Sequence, residues 1–161
     1  MFMKSLILAM VAAILMVFAF GVQAQQMPNP YGGPIALEIA KKITTAAVAE
    51  AQKNNWKMAF AVADTAGHLV YFEKMDNTQT ASVKIAIAKA RSAATFKRPT
   101  KTFADAVAGG NTAILGLPGT VTSEGGIPIL IDGKIVGAIG ASGGTGQQDG
   151  VAAQAGLNAL K

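Results

Sequence analysis

Asp132 and Gly133 separate two apolar runs, Ile127 to Ile131 and Lys134 to Ala141. An Asp-Gly pair flanked in this way is the strongest hairpin signal in the chain, because a type I′ turn needs positive φ at both central residues. Strands joined that tightly run antiparallel. Upstream, Lys57 to Asp64 and His68 to Lys74 flank Asp64-Thr65-Ala66-Gly67, a turn whose glycine is available for positive φ, so a second hairpin is predicted.

Helical periodicity fills the remainder. Pro34 opens a stretch in which Ile39, Ile43, Ala46 and Ala47 share one stripe, broken at Glu50, and which ends near Asn54-Asn55. Thr80 to Phe96 places Val83, Ala86, Ile87, Ala90 and Ala94 on one face and stops before Pro99. Thr100 to Ala108 is a short helix with Thr100 as its expected N-cap, Asn111 to Glu124 is irregular, and Gln147 to Leu160 closes the chain as a helix. The order is helix, hairpin, two helices, hairpin, helix. It predicts an α+β domain: a profilin-like or PAS-like central antiparallel sheet with helices packed on it.

The N-terminus stands apart. Lys4 precedes an almost wholly apolar run from Leu6 to Phe20, and Val22-Gln23-Ala24 offers residues acceptable to signal peptidase. Fifteen apolar residues fall short of the roughly 20 that a bilayer span needs. The expectation is a signal peptide over 1–24 and a periplasmic or secreted protein with no stable membrane span after processing; the alternative is an uncleaved anchor. A flexible segment rich in Pro and Gly covers 25–33, and residues 34–161 form a single domain.

Composition then excludes several chemistries. The chain has no cysteine, which removes thiolate catalysis, iron–sulfur clusters and cysteine zinc sites. His68 is the one histidine, so multi-histidine metal centres are excluded. Without Lys4 the formal charge falls from +5 to +4, which suits an anionic ligand. Aromatic residues are few and no arginine-rich run exists, so nucleic acid is not an expected partner.

Gly140-Ala141-Ser142-Gly143-Gly144 fits the G-x-S-x-G pattern of a hydrolase elbow. No histidine follows Ser142, however, and His68 would have to approach it from an unrelated part of the chain. A dinucleotide loop would need glycine where Asp149 stands. The better reading is structural: Gly137 and Gly140 admit a neighbouring backbone, while Gly143, Gly144 and Gly146 turn the chain into the last helix. The amides there could also hold a carboxylate or phosphate.

Three segments in this order and spacing, "VADTAGHLVYFEKMD" (Val62–Asp76), "KARSAATFKRPT" (Lys89–Thr100) and "GGIPILIDGKIVGAIGASGG" (Gly125–Gly144), resemble the GlcG/HbpS family, as do Asp149 and Gly156 in the closing helix. The resemblance covers nearly all of the chain after residue 24. It implies a profilin-like domain that assembles into homo-oligomers and binds a small molecule. Some secreted members bind haem, and the related PduO C-terminal domain is associated with corrinoids.

Haem binding needs an apolar slot, an axial donor and cations for the propionates. His68 is the leading axial, metal-binding candidate, with Met58, Met75, Tyr31 and Tyr71 as others. Lys84 and Arg91 lie seven residues apart on one helical face, and Lys97, Arg98 and Lys101 crowd the following turn. This basic group is either a solvated helix cap or a seat for propionates or another anion. The favoured function is an extracytoplasmic tetrapyrrole-binding protein that stores, senses or transfers haem. Two alternatives stand beside it. One is an enzyme acting on a small carboxylate or degrading haem, with Asp64, Asp76, Asp149 and Lys89 as acid/base candidates; the other is an interaction module for an envelope sensor.

Overall fold

Asp132 and Gly133 adopt φ of 50° and 71°, as the two-residue turn requires. The strands they join, β3 (Gly126–Ile131) and β4 (Lys134–Ser142), pair antiparallel. The first hairpin forms too, from β1 (Ala59–Asp64) and β2 (Leu69–Lys74), with Gly67 at φ 84° in its turn. β1 then pairs antiparallel with β4, so one four-stranded sheet results in the order β2-β1-β4-β3. These features belong to a computed structural model that describes residues 28–161. The expected signal peptide, residues 1–24, lies outside the described residues. Among the described residues no helix is long and apolar enough to cross a membrane.

Helices cover both faces of the sheet, confirming the α+β architecture. α1 (Leu37–Lys53) and α4 (Gly146–Asn158) pack on one face, and α2 (Ser82–Phe96) on the other. Residue size decides which helix goes where. Phe60 and Val62 of β1 join the larger core beneath α1 and α4, whereas Ala59, Ala61 and Ala63 face Ala86 and Ala90 of α2. Gly140 completes the flat surface: a Cβ there would collide with the Ala86 carbonyl and the Ala90 amide. Small residues on both sides therefore let α2 lie directly against the strands.

Several boundaries move for identifiable reasons. α1 starts at Leu37 rather than Pro34, because the Ile35 amide is drawn to the Val136 carbonyl (2.9 Å) and keeps the chain extended. Thr100 does not cap α3 (Lys101–Ala108); its own dihedrals are helical, and its hydroxyl accepts from the Gly126 amide at 2.9 Å. His68 belongs to the turn, since β2 begins one residue later. The irregular segment contains a 3₁₀ turn, Thr112–Gly116. α4 opens with a capping box in which Thr145 and Gln148 satisfy each other's backbone amides. The described part of the expected flexible segment, residues 28–33, is hydrogen-bonded to β4: Ile135 N donates to Pro30 O (2.9 Å) and Gly32 N to Ile135 O (2.8 Å).

Candidate functional site

α2 ends where Lys97 takes a left-handed conformation (φ 56°, ψ 31°), and the chain reverses through Arg98 and Pro99. β3 packs against α2, and its residues line the space at that helix end. A cavity of about 660 Å³ opens there. Ile127, Pro128, Leu130 and Ile135 of the second hairpin line it with apolar surface; Lys97, Arg98, Pro99 and Thr102 line it from the turn after α2 and the start of α3, and Pro28 and Asn29 from the N-terminal segment. The volume and the mostly apolar lining suit a small-molecule ligand.

Its two cations are held by aromatic rings. Lys97 Nζ sits 4.1 Å above the centre of the Tyr31 ring. The Arg98 guanidinium lies 6.0 Å from the Phe103 ring centre, and its Nε donates to the Phe96 carbonyl at 3.1 Å. Among the described residues, no carboxylate lies within ion-pair distance of either. The result is an apolar slot rimmed by two uncompensated positive charges.

A second cavity of about 340 Å³ adjoins the first, sharing Pro99 and Ile127. Gly125 lines it and lies directly against a buried ion pair: Lys89 Nζ donates to Asp149 Oδ2 at 2.7 Å, with the two side chains 1% and 4% exposed. Lys89 also donates to the Ala141 carbonyl (3.2 Å), while the Gly144 and Gly143 amides donate to Asp149. Burial pushes the Asp149 carboxyl up; Lys89 and the two amides pull it down, leaving it above its ordinary value. Here the glycine-rich joint does hold a carboxylate, and it is the chain's own.

The other sequence candidates are dispersed. His68 is 78% exposed, 3.4 Å through Nδ1 from Asp64, and lines neither cavity. Asp64 is occupied by the hairpin turn. Burial pushes its carboxyl up, but hydrogen bonds from the His68 and Ala66 amides and the His68 ring outweigh this, so it titrates below the usual range. Arg91 donates to the Gly67 carbonyl at 3.2 Å, beside that same turn. Lys84 is exposed thirteen residues before Lys97, about 20 Å along the helix. Lys101 pairs with Asp105. The basic residues thus form no single cluster, and only Lys97 and Arg98 meet at the larger cavity.

Among the remaining donors, Met58 is fully buried and Met75 packs on the same core. Tyr71 donates its hydroxyl to Glu73, and Tyr31 donates to the Ala94 and Thr95 carbonyls. Asp76 is exposed, so of the four acid/base candidates only Lys89 and Asp149 come together, in a sealed position. Ser142 is buried beside Ser82 and pairs with Ala59, at the opposite end of β1 from Asp64 and His68, so no triad forms. The sequence reading missed the Lys89–Asp149 pairing and the cavity walls. Lys89 gave a signal: it falls three residues after Ala86 and one before Ala90, on the buried stripe, where a charge requires a partner.

Comparison with known proteins agrees with this architecture. The family model described as "Haem degrading protein HbpS-like" matches residues 35–158. Protein GlcG of Escherichia coli K12 is 41% identical over 108 residues, 67% of this chain and 81% of that protein. A double mutant of Streptomyces reticuli HbpS superposes with a TM-score of 0.74 at 30% identity, covering 89% of this chain and 94% of that one. PduOC crystallised with haem superposes with a TM-score of 0.72 at 28% identity, covering 78% and 94%.

Proposed function

Since the chain belongs to the HbpS-like family, we propose that it binds haem or a related tetrapyrrole in the cavity at the end of α2. The observation that carries this is the pairing of an apolar slot with two cations, Lys97 and Arg98, that have no carboxylate of their own. A flat apolar macrocycle would lie against Ile127, Pro128, Leu130 and Ile135, and its propionates would neutralise Lys97 and Arg98. PduOC, a structural relative, is known with haem bound.

The residues present fit the macrocycle and its carboxylates. They do not place imidazole, thioether or phenol in the slot, since His68, Met58, Met75, Tyr31 and Tyr71 all lie outside its lining. Bound haem supplies an iron centre; this chain's part is to shield one face from water and anchor the anionic edge. The role we favour is storage, sensing or transfer of the tetrapyrrole outside the cytoplasm, after cleavage near Ala24. Assembly into homo-oligomers belongs to the same proposal, and Leu115 and Leu117, 60% and 48% exposed, offer an apolar surface for it.

A haem titration of residues 25–161, followed by the Soret band, tests the reading. Saturation near one equivalent, weakened by Lys97→Gln and Arg98→Gln and unchanged by His68→Ala, is the expected result. No shift beyond that of a non-binding control protein would remove haem from the account. A Soret band that forms and then decays would add breakdown of the ligand to its binding.

A further inference from the structure

Pro28 and Asn29 line the proposed tetrapyrrole cavity, yet they precede the first helix and lie outside the 35–158 stretch matched by the family model. A short series of ties seats them. Pro30 and Gly32 hydrogen-bond to Ile135, and Ile35 to Val136. Gly32 sits so close to β4 that a Cβ would press on Lys134 and Val136 at 3.1 and 3.3 Å. Between these anchors, Tyr31 crosses to the end of α2. Its hydroxyl donates to the carbonyls of Ala94 (2.9 Å) and Thr95 (3.0 Å), in the last turn where the helix runs out of amide donors; Ala94 otherwise accepts only a long bond (3.4 Å) from the Lys97 amide. Its ring then carries the Lys97 ammonium at 4.1 Å.

We infer that Tyr31 is a positioning residue for Lys97, and that the strap of residues 28–33 is a working wall of the ligand site. This rests on the reading of the cavity as a tetrapyrrole site. A free lysine side chain samples many rotamers and loses that freedom when it captures a carboxylate. Lys97 is already held over a ring at the cavity rim, so less is lost on binding. The ligand class is an apolar plane bearing carboxylates, and Tyr31 contributes to its affinity without touching it.

The test is a double-mutant cycle on residues 25–161, which contain every described element. Haem affinity is measured for the wild type, Tyr31→Ala, Tyr31→Phe, Lys97→Gln and the Tyr31→Ala/Lys97→Gln double variant. If Tyr31 acts through Lys97, each single loss weakens binding roughly tenfold and the double variant is little weaker than either. Tyr31→Phe, which keeps the ring, recovers most of the affinity. Amide exchange at Ala61 and Ile139, in the sheet centre, should stay as slow as in wild type; if Tyr31→Ala loses it, Tyr31→Leu fills the space without an aromatic face and takes its place. Additive losses of about a hundredfold overturn the inference, as does Tyr31→Ala (or Tyr31→Leu in its place) binding like wild type. Absence of haem binding by the wild type overturns the tetrapyrrole reading itself.

Discussion

Helix α2 and the turn after it hold cations in two opposite conditions. Lys89 is sealed between α2 and α4, bonded to Asp149 and to a backbone carbonyl. Lys97 and Arg98, the first two residues past the helix end, face a cavity and rest on aromatic rings with no counter-charge. A buried charge is tolerable only when paired, and pairing leaves it nothing to offer a ligand. An unpaired charge is tolerable only near water, where an anion can reach it. The contrast gives the first pair to the fold and leaves the second for the proposed ligand, although in sequence all three are ordinary basic residues within ten positions.

Breaking the sealed pair gives the largest effect. Lys89→Ala or Asp149→Ala should cost about 3–5 kcal/mol in urea unfolding, because each strands a buried charge. Replacing both by apolar residues (Lys89→Met with Asp149→Leu) should recover much of that loss. A single change costing less than about 1 kcal/mol would show that water reaches the pair.

Next is the close seat of α2 on the sheet. Gly140→Ala should destabilise by about 1–3 kcal/mol, since its methyl group would push α2 off the sheet. Melting unchanged from wild type would mean that the helix lies looser than described.

The open pair behaves in reverse. Lys97→Gln and Arg98→Gln should each change unfolding free energy by less than about 0.5 kcal/mol, while haem binding weakens roughly tenfold and loses part of its salt dependence. Equal stability loss at both pairs would erase the distinction.

The smallest effect concerns the hairpin turn. Asp64 has a lowered pKa in the fold, so its stabilisation is fully present above the ordinary carboxylate value and is lost as pH falls through the folded one. Asp64→Asn should therefore flatten the pH dependence of stability below about pH 4, removing a small contribution at pH 7 and leaving stability at low pH nearly unchanged. An acid limb identical to wild type would contradict the turn hydrogen bonds.

Both hairpins and all four helices were legible because their signals are local: Asp132-Gly133 and Asp64 to Gly67 at the turns, an apolar face at helical spacing in α2. The site was legible only in part. Lys97 and Arg98 could be picked out by charge, but sorting them from Lys84 and Arg91 depends on where α2 stops relative to β3, a relation between segments some thirty residues apart. The apolar wall stayed hidden because Pro128 and Leu130 look like core residues until the helix above them ends. Thr100 misled for a related reason: a threonine before a helix reads as a cap, yet the Gly126 amide takes its hydroxyl from across the fold.

The glycine-rich joint before α4 has a consequence for any search for substrates. Its amides already bind Asp149, a competitor tethered to the same chain. Tethering of this kind gives an effective concentration on the order of millimolar or higher, so a free phosphate or carboxylate at micromolar levels would meet a site that never falls vacant.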